Sequence, residues 1–187
     1  MRKAAPLLAA LVLCAAGAPP QGAFAAGGPT TAVAQAPAAL SDADRAFMTE
    51  ATQTGAADVR LSELAVNRAK SSRVQDFART VVRERSAAND ALAQLASAKG
   101  VQVAAEPTAE QQHVIDQLDE LAGSEFDVEY MARQVSSYEN AVILHRAQLE
   151  QTADVDLRAY IESSLATLEG HLEAARQLAE QVRASAN

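Results

Sequence analysis

The side chains that could carry chemistry in this chain are few. His113, His145 and His171 are its only imidazoles, and Cys14 is its only thiol. A carboxylate-bridged di-iron centre inside a helical bundle takes a Glu from each of two helices and a Glu-x-x-His pair from each of the other two. The i, i+3 spacing turns carboxylate and imidazole to one inward face. Here Val142 stands three residues before His145 and Leu168 three before His171, so the standard di-iron ligand set is not reached. A looser site for a transition metal ion would use His145 and His171 with Glu139 or Glu169. Two histidines alone do not supply the three or four convergent groups that a metal needs, and the plainer role for both is that of satisfied interface residues. His113 falls in a short polar segment and reads as solvated. Ser, His and Asp all occur, but no Gly-x-Ser-x-Gly elbow accompanies them.

A second group is polar and inward. Counting at ~1.5 Å per residue from the turns that flank them, Arg85, Tyr138 and Asp58 all fall near the middle of long helices. An inward arginine must meet a carboxylate or leave a buried charge unpaired. Asp58 or Glu63 is the expected partner, with the Tyr138 hydroxyl adding a hydrogen bond. The first reading of Arg85, Tyr138, Asp58 and Glu63 is a structural polar core network; the alternative is an anion or ligand pocket around Arg85.

The elements that must position these groups are helices. Ser41-Asp42-Ala43-Asp44 opens the first, with Ser41 as N-cap and acidic residues in the first turn; it runs to about Lys70. Ser71-Ser72 restarts the chain in a second helix that ends at Gly100. Pro107 begins a short helix reaching Leu121. Gly123-Ser124 ends it and caps a fourth, which runs to about Gln151. That helix carries a seam of Met131, Val135, Tyr138, Val142, His145 and Leu149 at alternating spacings of four and three. A last helix follows Thr152-Ala153-Asp154, with Leu157, Ile161, Leu165, Leu168 and Leu172 as its stripe. No strand-like alternation occurs. The expected architecture is all-α, a four-helix bundle with one short connecting helix. Abundant Ala and few aromatics predict closely spaced helices.

The N-terminal residues read differently. Arg2 and Lys3 precede an apolar run from Ala4 to Ala18, and Ala23-Phe24-Ala25 has the small-x-small form of a signal peptidase site. Residues 1–25 are therefore expected to be a signal peptide that takes Cys14 with it. Residues 26–40, uncharged and rich in Ala, Pro, Thr and Gly, read as a flexible tether, and 41–185 as one helical domain. The net charge of −8, more negative still without Arg2 and Lys3, argues against nucleic acid as a partner. No second long apolar run suggests a membrane span.

Several segments together resemble a known family: A-T-Q-T-G-A-A-D-V-R-L-S-E-L-A (51–65), V-Q-D-F-A-R-T-V-V-R-E-R-S-A-A-N-D-A-L (74–92), F-D-V-E-Y-M (126–131) and L-A-T-L-E-G-H-L (165–172). They are similar to a bacterial family of exported helical proteins that carries a domain-of-unknown-function label and is often called "predicted outer membrane protein". The resemblance covers roughly Asp42 to Leu178. It implies an envelope location and a ferritin-like four-helix bundle, and no assigned activity. It also implies histidines where this chain has Arg85 and Tyr138; His171 alone is retained. The expected function is that of an exported, periplasmic, non-catalytic bundle without a cofactor, acting through a protein partner in envelope maintenance or stress, with homo-oligomerisation open. The alternative is a degenerate ferritin-like metal binder.

Overall fold

The computed structural model describes residues 39–186; the expected signal segment, Cys14 and most of the tether lie outside them. Among the described residues the chain is all-helical, in five helices: α1 (Asp42–Arg68), α2 (Ser72–Ala98), α3 (Ala109–Asp119), α4 (Gly123–Gln151) and α5 (Val155–Ala186).

Local chemistry accounts for several helix ends. Ser41 and Asp44 form a reciprocal capping box at the start of α1. Thr108 and Gln111 form another at α3, which is why that helix begins after Pro107 rather than on it. At the end of α2, Gly100 takes φ +74°. The Val101 N–H reaches the Ala96 carbonyl at 2.8 Å, and the Gly100 N–H reaches that of Ser97 at 3.0 Å. This is a Schellman closure, which needs a left-handed residue where Gly stands. Gly123, at φ +63°, is the first residue of α4, and Ala122 rather than Ser124 takes the cap position.

Cross-helix pairs give the direction of every neighbour. Asp58 meets Arg85 and Gly55 lies against Asn89, so α1 and α2 are antiparallel. Arg146 with Glu169 and Arg176 with Glu139 say the same of α4 and α5. Between the hairpins, Asp44 meets Gln148 and Ser62 meets Tyr130, while Arg73 meets Gln181 and Lys99 meets Asp154. Both α1/α4 and α2/α5 are therefore antiparallel as well. It follows that α2 and α4 run the same way. The chain leaving α2 has to travel back along the helices before α4 can start, and the segment 99–122, with α3 in it, makes that return.

The interior is built from Phe47, Met48, Leu92, Phe126, Met131 and Leu157, all essentially inaccessible, with Ala65, Ala78, Ala96 and Ala175 buried between helices. Small residues at these contacts let the backbones approach closely. At Gly55 the space for a side chain is already taken: a Cβ there would collide with the Asn89 amide.

Candidate functional site

Helical spacing gathers an unusual amount of polarity inside this apolar body. The inward face of α1 carries Asp44, Thr52, Asp58 and Ser62, and that of α4 carries Tyr130, Gln134, Tyr138, His145 and Gln148, all buried. Arg85 of α2 and His171 and Ser164 of α5 are buried with them, as is Asp127 near the start of α4.

Its centre is the Asp58–Arg85 ion pair, with 3.3 Å between Oδ2 and Nη2 and side chains only 2% and 4% exposed. Ser137 Oγ donates to the other carboxylate oxygen at 2.6 Å. Burial raises the Asp58 carboxyl above its ordinary value, opposed by Arg85 and the Ser137 hydrogen bond. Taking two charges out of water costs nearly what their attraction returns, whereas deleting one partner alone typically costs 3–5 kcal/mol because the other is stranded. The pair therefore commits α1 and α2 to one register more than it adds stability.

Two of the residues expected beside it behave differently. Glu63 is exposed. Five residues beyond Asp58, it lies about 140° further round the helix and faces the small cleft that holds Arg60 and Asn89. Tyr138 is fully buried, yet its hydroxyl has no hydrogen-bond partner among the described residues, so the expected bond to the ion pair is not made. Instead its ring meets His171 edge-on, with centroids 5.3 Å apart. Burial drives the Tyr138 phenol well above its ordinary value.

The histidines occupy separate settings. His171 Nε2 lies 2.8 Å from Glu84 Oε2. Hydrogen bonds from Arg83 first, then His171, pull the Glu84 carboxyl down. His145 is 1% exposed; its Nδ1 donates to the Ala141 carbonyl at 2.7 Å, and its ring stands edge-on to Phe47 with centroids 4.9 Å apart. Burial lowers its pKa to about 4, Arg85 acting in the same direction and the Ala141 bond against, so the ring is neutral at neutral pH. Glu139 and Glu169 are held at the surface by Arg176 and Arg146 and do not join either imidazole. Among the described residues no three His, Cys, Asp or Glu side chains come together as a metal-holding group. His113 is exposed on α3, beside Gln117.

Several polar residues not singled out in the sequence belong to the same interior. Ser62 and Tyr130 share a hydrogen bond of 2.9 Å, Gln148 donates to Asp44 at 2.6 Å, and Gln134 is wholly buried with neither amide atom partnered. Gln134 lies four residues before Tyr138 and eleven before His145, so its inward orientation was available from the spacing. Ser137 gave no such signal, because its partner stands on another helix.

Chemically, the groups are poised for cohesion: an ion pair, a neutral imidazole and raised phenols, each reaching from one helix to the next. Two clefts approach the ion pair from different sides. Arg85 lines one of about 320 Å³ between α2 and α5, and Asp58 one of about 650 Å³ bounded by α1, α3 and α4. The family described as "Domain of unknown function (DUF4142)" matches residues 29–178 of the chain. No curated protein and no solved structure matches it.

Proposed function

The chain belongs to the DUF4142 family, domains of unknown function, and from that premise we propose that it is an exported, non-catalytic helical bundle that works in the cell envelope by binding another protein. One observation carries the non-catalytic reading. The buried polar side chains pair across helix boundaries, Asp58 to Arg85, Ser62 to Tyr130 and Gln148 to Asp44, with His171 reaching the half-exposed Glu84; only Glu84 and Arg85 of these share one cleft wall between α2 and α5. Such pairs specify which helices meet and in what register. The four long helices make a ferritin-like four-helix bundle in this reading, supported by their antiparallel neighbours and by a single lengthwise crossover. Export rests on the Arg2-Lys3 start, the apolar run after it and the Ala23-Phe24-Ala25 site; the tether 26–40 then spaces the bundle from wherever its start is held.

The test is elemental analysis of protein recovered from the periplasmic fraction without a histidine tag. The expected result is a cooperatively folded, metal-free protein whose chain begins near Ala26. Near-stoichiometric iron, zinc, copper or manganese would overturn the non-catalytic reading and direct attention to His171 and Glu84. Recovery only in the cytoplasm would overturn export.

A further inference from the structure

Of the four seams between long helices, α2 against α5 is the least closely packed. Much of what lines it is small: Ala88 and Ala91 on α2, Ser164 and Thr167 on α5. Between closely spaced helices such side chains fill the gap. Here they leave a cleft of about 320 Å³, at the small end of the range for ligand clefts, roughly 300–1,000 Å³. Tyr160 bounds one end, its hydroxyl donating to the Ala88 carbonyl at 3.4 Å. Glu84 stands at the other, held by His171 and Arg83.

Arg85 lines this cleft with a side chain only 4% exposed. Its polar contact among the described residues is Asp58, 3.3 Å from one Nη, and its Nε–H has no acceptor. A guanidinium carries five N–H donors in one plane, and a donor kept from water without an acceptor is costly. The ion pair therefore balances the charge of Arg85 and leaves its hydrogen bonding incomplete. The other polar side chains lining the cleft are hydroxyls, Ser164 and Thr167 among them, and the Glu84 carboxylate.

We propose that the α2–α5 cleft binds a small uncharged ligand rich in hydroxyl oxygens, about the size of one sugar ring. Arg85 donates to ligand oxygens, Glu84 accepts from ligand hydroxyls, and Ser164 and Thr167 do either. Ala88 and Ala91 meet its C–H face. Charge sets the class. An anion would find the Arg85 charge already matched by Asp58 and would meet Glu84 in the same cleft. A cation would face the guanidinium, and a wholly apolar ligand would leave the Arg85 donors unmet. The site is independent of the protein-binding role proposed above, whose success or failure does not bear on it.

The experiment follows the amide chemical shifts of the isotope-labelled full chain during titration with uncharged polyols: methyl glucoside, methyl mannoside, methyl galactoside and inositol. Acetate and inorganic phosphate serve as the charged comparison. At least one polyol is expected to bind, with the shifts centred on residues 84–91 and 160–168. Ala91→Leu, at an exposed helical position that suits leucine, is expected to fill the cleft and weaken that binding at least tenfold. Arg85→Lys keeps a cation for Asp58 and removes the planar fork of donors; it is expected to weaken binding by a similar factor. Circular dichroism shows whether the lysine variant folds, and Ala91→Leu decides the matter if it does not. Acetate or phosphate binding more tightly than every polyol would overturn the proposal, because the guanidinium would then be reading charge. So would polyol binding that ignores Ala91→Leu, or no binding of any polyol at millimolar concentration.

Discussion

His145 joins chemistry and stability at a single residue. In the unfolded chain its imidazole titrates near 6.5, and in the fold burial takes it to about 4. Between those values the unfolded chain binds a proton that the folded chain refuses. The contribution of His145 is therefore fully present above about pH 6.5 and is lost as the pH falls toward 4, a change of about 3 kcal/mol. Asp58 acts in the opposite sense, because its carboxyl is raised in the fold. The clean measurement is thus the difference between the parent and His145→Leu in urea unfolding from pH 7 to 4. The parent is expected to lose stability relative to the variant toward acid; a constant gap would show that the imidazole does not titrate with folding. The spacing from Met131 to Leu149 already turned His145 inward, because helix periodicity is local information. Choosing between Asp58 and Glu63 as the partner of Arg85 required knowing which face of α1 meets α2. The Tyr138 hydroxyl depended on what stands opposite it, which no residue near it records.

An element is limited by how closely its neighbour lies. Gly55 costs helix α1 about 1 kcal/mol in propensity relative to Ala, and Asn89 of α2 occupies the space a side chain would take. Gly55→Leu is expected to destabilise the protein by about 2 kcal/mol in chemical denaturation, the usual penalty of overpacking, with part recovered when Asn89→Ala is added. An unchanged midpoint in Gly55→Leu would mean that the α1–α2 seam has room to spare. Helix ends were legible for a similar local reason: the Ser41 box and the Gly100 closure need only residues within one turn. The start of α3 was not placed correctly, because Pro107 and Thr108 both suit a helix start and the Gln111 side chain decided between them.

At the scale of the whole molecule, each hairpin turn is fastened by the other hairpin. Asp127 of α4 accepts the Lys70 and Ser71 N–H groups at 2.9 and 2.8 Å, closing the α1–α2 turn. Lys99, at the end of α2, reaches Asp154 and Asp156 at 2.6 Å, where α4 turns into α5. Removing the Asp127 carboxylate strands two backbone donors, so Asp127→Ala is expected to cost about 2 kcal/mol. Lys99→Ala is expected to add to it independently, since the two fastenings lie at opposite ends. Thermal unfolding should stay a single transition in both variants, and a separate early transition would show that the hairpins fold as independent units. The direction of the return segment 99–122 had no signature in the sequence, because only pairs such as Arg73–Gln181 and Ser62–Tyr130 reveal which way each helix runs.

That return leaves α1 beginning at the pole where α4 ends, beside Gln148. The last turn of α5 finishes at the opposite pole, where Ala186 lies near Ser124 and Glu125 of the α4 start. Tension drawn between Asp42 and Ala186 would run along the helix axes. It would load the packed seams in shear, all at once, and would not peel one hairpin away turn by turn.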